Sequence, residues 1–456
     1  MATIVTPPRP EDAITSGKMS ALQIGAVALC VLISALDGFD VLAVAFTAAP
    51  ISREWGLSPT DVGALFSVGL AGMGVGAFFL SPLGDKFGRR PMILACLVIL
   101  AVGMLLSALT TSLGGLLWMR FITGLGIGGM LASINTIVAE YATAKRRNLC
   151  ISLMALGYPL GAAFGGLAAV PLINAFGWHS VYLMGGVAAI VLIPLALWLI
   201  PESVQFLITR RPRKALERIN SVMRRIDRPE LTVLPERDLT GLNRPQKLSA
   251  VLGPDLLRTT LLVLILNITV MMTVYFAVSW TPKILSELGF SDSIGIYASL
   301  MMNLSGAVGC LLFGLMANRF GLRRLSALVF VALGLALTAF GLVPPVAGAL
   351  IIAAFVLGFF INTAITCLYT ILPTVFPAGV RATGTGIGLG GGRIGAVAGP
   401  YLAGVLIAAG WDRSAFCIAL ALPMIIAVMA LFGLKQLERP RQEGGSPISE
   451  PAAAAR

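Results

Sequence analysis

The chain has 456 residues, of which 57% are hydrophobic and 12% charged, with a mean hydropathy of +0.90. Soluble domains carry about twice that charged share, so the composition excludes a soluble enzyme or binding module and predicts a polytopic membrane protein. The formal net charge of +12 at pH 7 would suit nucleic acid, but the distribution of those charges along the chain argues for membrane topology instead.

The apolar runs predict twelve spanning helices, at about 20–49, 61–83, 91–110, 113–141, 148–172, 179–200, 258–281, 293–317, 324–343, 345–372, 381–409 and 412–434. Roughly 20 helical residues at about 1.5 Å each cross a hydrocarbon core of about 30 Å. Barrel strands give short alternating segments, which these runs are not. The expected fold is all-α: a tail over 1–19, a six-helix bundle over 20–200, a polar linker over 201–257, a second six-helix bundle over 258–435 and a tail over 436–456. Both tails, rich in Pro, Ala and charge, read as disordered.

Helix one carries the costliest residues, in Ala35-Leu36-Asp37-Gly38-Phe39-Asp40-Val41-Leu42. A carboxylate at membrane depth costs about 2.5 kcal/mol or more. Asp37 and Asp40 stand three positions apart and share one helical face, which suits the handling of protons or a charged solute. Burial and mutual repulsion compete there with the pull of any nearby arginine, so alternation between wet and closed surroundings would load and release a proton at a coupled pair. Arg120 in helix four lies about 10 Å from the outer boundary by helical rise, and Arg393 falls near the middle of helix eleven. Four charges on three helices at similar depths imply a polar cavity between the two halves. A guanidinium offers a planar donor fork that matches a carboxylate, so Arg120 and Arg393 are expected to bind an anion.

Of the 33 Lys and Arg residues, only Arg53, Lys283 and Arg413 fall on the side opposite the termini and only Arg120 and Arg393 inside helices; the other 28 lie on the side of the termini. By the positive-inside rule both termini are expected to be cytoplasmic, with the cell's inner (plasma) membrane as the expected location and anionic lipid as a contact. The basic linker run Arg210-Arg211-Pro212-Arg213-Lys214 belongs to the same pattern and is not read as a nucleic-acid site. The six cysteines stand singly and His179 is the one histidine, so neither a metal, a cofactor nor a disulfide framework is expected. No nucleophile–base pair or phosphate loop indicates an enzyme. Gly386-x-Gly388-x-x-Gly391 matches a dinucleotide fingerprint only formally, without its strand.

The two halves repeat. Ser81-Pro82-Leu83-Gly84-Asp85-Lys86-Phe87-Gly88-Arg89-Arg90 follows helix two, and Gly314-Leu315-Met316-Ala317-Asn318-Arg319-Phe320-Gly321-Leu322-Arg323-Arg324 follows helix eight. Six-plus-six parallel repeats are the architecture of alternating-access carriers. The first of these loops is similar to the Gly-x-Leu-Ala-Asp-Arg-x-Gly-Arg-Arg signature of the major facilitator superfamily, which the chain resembles over 20–435. Arg120, Pro201-Glu202-Ser203 and Arg381-Ala382-Thr383-Gly384 with Gly392-Arg393 are further matches. Within the superfamily, Asp37-Gly38-Phe39-Asp40 resembles the aromatic acid:H+ symporters. Ser81, Gln205 and Asn318 depart from the family pattern and bear on the loop mechanics.

That resemblance implies a monomeric proton-coupled symporter that imports a small aromatic carboxylate, of benzoate or hydroxybenzoate type, by alternating access. Asp37 and Asp40 would carry the proton. A flat ring needs aromatic contacts, for which Phe39, Tyr158, Phe164, Tyr275, Phe359 and Phe360 are candidates. Another organic anion, or a drug exchanged for protons, is the alternative cargo on the same fold; Gly157-Tyr158-Pro159 lacks the Gly-Pro order typical of antiporters. For gating, Glu140 is expected to latch onto Arg89 or Arg90, and Asp85 to cap the start of helix eleven near Arg381. Gly157, Gly161 and Gly165, like Gly384, Gly388 and Gly392, are spaced for close helix contact. Trp55, Trp178, Trp280 and Trp411 are expected to anchor the outer membrane interface.

Overall fold

A computed structural model describes residues 10–235, 251–377 and 380–434. All twelve expected spans form: α1 (Ala21–Trp55), α2 (Pro59–Phe79), α3 (Arg89–Ala108), α4 (Leu113–Tyr141), α5 (Arg147–Phe176), α6 (His179–Leu199), α7 (Pro254–Glu287), α8 (Asp292–Phe320), α9 (Leu322–Leu342), α10 (Ala347–Val375), α11 (Arg381–Ala408) and α12 (Arg413–Gly433). The fold is all-α, with no strand among the described residues.

Local chemistry sets the helix ends. Ser20 caps α1 reciprocally with Gln23, and the helix stops where Gly56 takes φ +62°. Between those signals α1 runs on through Pro50 for 35 residues, past the expected stop at 49. α2 breaks at Leu80, because Pro82 starts a further helix, Ser81–Phe87.

The N-terminal tail is more ordered than expected, and the linker contains helices of its own. In the N-terminal tail, Pro10–Thr15 is helical, Ile14 is buried, and Gln23 Nε2 donates to the carbonyls of Ile14 (2.9 Å) and Tyr141 (2.8 Å). In the linker, Val204–Arg210 and Ala215–Arg225 are helices, the second burying Ile219, Val222 and Met223 while Arg224 and Arg225 face outward. The expected tail over 436–456 lies outside the described residues.

Each bundle is organised around two close crossings: α1 with α5 and α2 with α4 in the first, α7 with α11 and α8 with α10 in the second. Without a hydrophobic drive between helices in lipid, such crossings depend on small residues. Gly157, Gly161 and Gly165 of α5 lie against Val31, Ala35 and Phe39 of α1, one turn apart on each helix. Gly38 returns the contact: a Cβ there would collide with the backbone carbonyl of Tyr158.

The tryptophan expectation holds in part. Trp411 is exposed, but Trp178 and Trp280 are core residues. Trp178 meets Trp55 edge-on at 5.3 Å and donates to Glu54 (2.7 Å), whereas Trp280 donates to the Pro400 carbonyl (2.9 Å). The Trp280 N–H, with its partner inside the bundle, has no need of the interface, while Trp178 keeps an exposed partner at the outer end of α1.

The bundles meet along α2–α11 and α5–α8. On the face opposite the termini, Gly404 lies against Pro59, Gly63 against Pro400, and Ser67 Oγ donates to the Val397 carbonyl (2.7 Å). Phe66 and Trp280 pack edge-to-face across the same seam (5.3 Å), and Arg53 pairs with Asp292. The α11 stripe then continues through Arg393, whose Cβ would lie 3.5 Å from a Cβ on Gly74, to Gly390 and Gly386, which have nothing within 4 Å. On the matching α2 stripe Phe78 is 74% exposed. The interface is a wedge, closed opposite the termini and open toward them, with Arg393 at its vertex.

Candidate functional site at the vertex of the wedge

The four membrane charges do not form one cluster; they divide into two. Arg120 of α4 grips Asp40 of α1 with both ends of its fork: Nη1 donates to Oδ1 (2.8 Å) and Nη2 to Oδ2 (2.6 Å) and to the Asp40 carbonyl (3.2 Å). Both residues are at most 2% exposed. The guanidinium also lies 5.5 Å from the ring centre of Tyr182 on α6, whose hydroxyl bonds Thr47 (2.9 Å). This neutral, doubly hydrogen-bonded pair joins α1, α4 and α6. A narrow cleft reaches it from Ser279 of the second bundle, past Phe66 and Gly69.

Asp37 is the other kind of carboxylate. It is 2% exposed and its Oδ1 has no hydrogen-bond partner. The charge acting on it most strongly is that of Arg393, across the bundle interface, ahead of Asp40. Arg393 donates over a long 3.4 Å to the Tyr275 hydroxyl and shares its field with Tyr369, Asp37 and Tyr158. Five groups from α1, α5, α7, α10 and α11 thus converge on the vertex, two from one bundle and three from the other.

Among the expected aromatic contacts, Tyr158 and Tyr275 belong to this cluster. The others do not. Phe39 is buried in the first bundle against Gly165 and Gly185. Phe164 is 66% exposed on the outer stripe of α5, with Leu160 and Leu167. Phe359 packs edge-on with Phe360 (5.1 Å) and against Gly309 of α8. Tyr369 was not singled out from the sequence; it is 55% exposed in the opening although Arg393 acts on it. A phenol set two turns past a polar Asn362 on a membrane helix was the available signal.

The expected latches rearrange. The carboxylate at the start of α3 is that of Glu202, which accepts from the backbone N–H groups of Arg89 (2.8 Å) and Arg90 (3.3 Å). Gly88, at φ +113°, leaves the space this carboxylate occupies. Glu140 instead accepts from Ser203 Oγ (2.8 Å), and Tyr141 donates to the Glu202 carbonyl (2.7 Å). Asp85 pairs with Arg89 one turn along, and its carbonyl accepts from Arg210 (3.1 Å). It does not cap α11, whose first turn has no side-chain cap at Val380; Arg381 is exposed there. These contacts tie the linker to the first bundle.

Two linked bundles with charged groups at a central vertex are the frame of a carrier, and comparison with known proteins decides the family. The Major Facilitator Superfamily model matches residues 27–325 and 304–455. The chain belongs to that superfamily. It is 29% identical over 426 residues to the 4-hydroxybenzoate transporter PcaK of Acinetobacter baylyi, covering 92% of each chain. It is likewise 29% identical to a gallate transporter of Pseudomonas putida, covering 92% of this chain and 94% of that one. Among solved structures, the inward-open xylose transporter XylE of E. coli superposes with a TM-score of 0.67 at 16% identity, over 92% of this chain and 98% of that one. The protein is a membrane transporter and not an enzyme.

Proposed function

We propose that this transporter is a symporter that imports a small aromatic carboxylate together with a proton, by alternating access, across the inner membrane with both termini cytoplasmic. The observation that carries the reading is the vertex itself: a buried carboxylate with an unpartnered oxygen, Asp37, facing Arg393 amid three tyrosines. A substrate carboxylate would take the Arg393 fork, with Tyr275 alongside, and the phenol rings would flank a flat ring. Asp37 would hold the proton when the substrate anion neutralises Arg393. It would lose that proton on the open side, where water and the restored arginine charge favour the carboxylate. The wedge, open toward the basic, terminus-bearing face, represents the release state in this cycle. Two relatives at 29% identity transport 4-hydroxybenzoate and gallate, both aromatic acids, which supports this cargo class.

One proton with one monoanion moves no net charge, so the pH gradient alone would drive uptake. Proteoliposomes given an acidic outside should accumulate 4-hydroxybenzoate, and a protonophore should collapse the accumulation to equilibrium. Accumulation that survives collapse of the gradient would overturn proton coupling; absence of any aromatic-acid uptake would overturn the cargo.

A further inference from the structure

A second, small cavity lies deeper in the closed part of the wedge, lined among others by Leu42, Val278, Ser299, Asn303, Gly358 and Asn362. Its position follows from helical rise. Leu42 is five residues beyond Asp37 on α1, Val278 three beyond Tyr275 on α7, and Asn362 seven from Tyr369 on α10, about 7.5, 4.5 and 10.5 Å respectively toward the closed face. Three helices thus place the cavity on the same side of the vertex.

Its lining is mostly apolar, with the polar side chains of Ser299, Asn303 and Asn362 set into it. Ser299 is 2% exposed and its Oγ has no hydrogen-bond partner. Asn303 donates from Nδ2 to the Ser299 carbonyl (2.9 Å), which holds its amide at the cavity. Asn362 has only a long contact from Nδ2 to the Gly358 carbonyl (3.4 Å) and stands where Gly306 of α8 leaves room for it. The apolar remainder comes from Leu42 and Val278 on α1 and α7 and from Met302 and Ile361 on the same helices as the polar groups. The buried Ser299 hydroxyl costs free energy unless a ligand group pairs with it, and the half-buried amides of Asn303 and Asn362 stand beside it.

We infer that this cavity is a subsite for a hydroxyl group on the substrate ring, so that the transporter selects hydroxylated over unsubstituted aromatic acids. The inference rests on the proposed function, with the carboxylate held at Arg393 and the ring lying between the two polar ends. A site that hydrogen-bonds a substrate hydroxyl discriminates strongly against the analogue lacking it, because the protein groups are then left unpaired.

The test is the ratio of affinities for 4-hydroxybenzoate and benzoate, measured by competition against uptake in proteoliposomes. Wild-type protein should prefer the hydroxylated acid at least tenfold. Asn303→Leu and Asn362→Leu should each pull that ratio toward one, and Ser299→Ala, a smaller change, should do so in the same direction if either leucine variant fails to fold. A ratio that stays fixed in variants that still bind both acids overturns the subsite and leaves the parent reading intact. A wild-type protein that binds neither acid overturns the parent reading, and the subsite with it.

Discussion

Asp37 and Asp40 are less than one turn apart on the same helix and equally buried, yet they live in opposite surroundings. Asp40 has a bidentate guanidinium and lies within one bundle. Asp37 has an unpartnered oxygen and looks across the interface to Arg393. The first arrangement satisfies a buried charge; the second leaves one available. A buried pair is also weak evidence for net stability, since its desolvation offsets much of its attraction. What the contrast teaches is that these two membrane carboxylates are sorted by whether their partner sits on the same bundle or on the other one.

The largest effect that separates the two is expected from Asp37→Asn. With the ionisable group gone, a pH gradient should no longer concentrate substrate, whereas wild-type accumulation should approach about tenfold per pH unit of gradient, since 1.4 kcal/mol is a factor of ten. Counterflow exchange, which needs no net proton movement, should persist, and the melting temperature should not fall, because no hydrogen bond to Asp37 Oδ1 is lost. Gradient-driven accumulation retained in Asp37→Asn would erase the distinction between the two residues.

Asp40→Ala should act on stability first. It strands a buried guanidinium, a loss worth about 3–5 kcal/mol when a buried pair is broken on one side. Replacing both partners, Asp40→Leu with Arg120→Leu, should recover most of that in a thermal melt of the purified protein. If the double variant also accumulates substrate, Asp40 has no part in proton movement and the pair is a brace; if it melts normally and only exchanges, the two aspartates share the task. Tyr182→Phe probes the outer edge of the same brace. It keeps the ring beside Arg120 and removes the hydroxyl bond to Thr47, for a cost of about 1 kcal/mol.

The twelve spans, the repeat and the place of each charge along its helix were legible in the sequence because hydropathy and helical rise determine them. Pairing was not. Asp37 and Asp40 look equivalent as i and i+3 residues, and only the crossing of α1 on α5 and α4 turns one of them to Arg120. Gly38 takes part in the close approach of α1 to α5, and its closeness to the Tyr158 carbonyl cannot be read from the Asp-Gly-Phe-Asp string. Trp178 and Trp280 were misplaced for a related reason: position along a helix gives depth but not the direction a ring points. Glu202 sat in a recognised Pro-Glu-Ser string, but its role as the acid at the start of α3 depends on a linker helix folding back.

The smallest effect tests the wedge rather than its vertex. Arg53 at the end of α1 and Asp292 at the start of α8 pair across the closed face, and Asp292 also accepts from Ser286 (2.9 Å). The Arg53 side chain is 62% exposed, so after solvent screening the pair is worth at most about 1 kcal/mol. That would leave a melting curve almost unmoved. Between two conformations of similar free energy, however, 1 kcal/mol changes their ratio about fivefold. Arg53→Ala and Asp292→Asn should therefore shift the protein toward an opening on the opposite face, read as a longer distance between spin labels placed on the outer ends of α1 and α8. Raising ionic strength should shift wild-type protein the same way and the variants hardly at all, because an exposed pair is screened by salt. Equal salt responses in all three proteins would mean that the apolar seam of Phe66, Trp280 and the α2–α11 glycines holds the outer face shut without this pair.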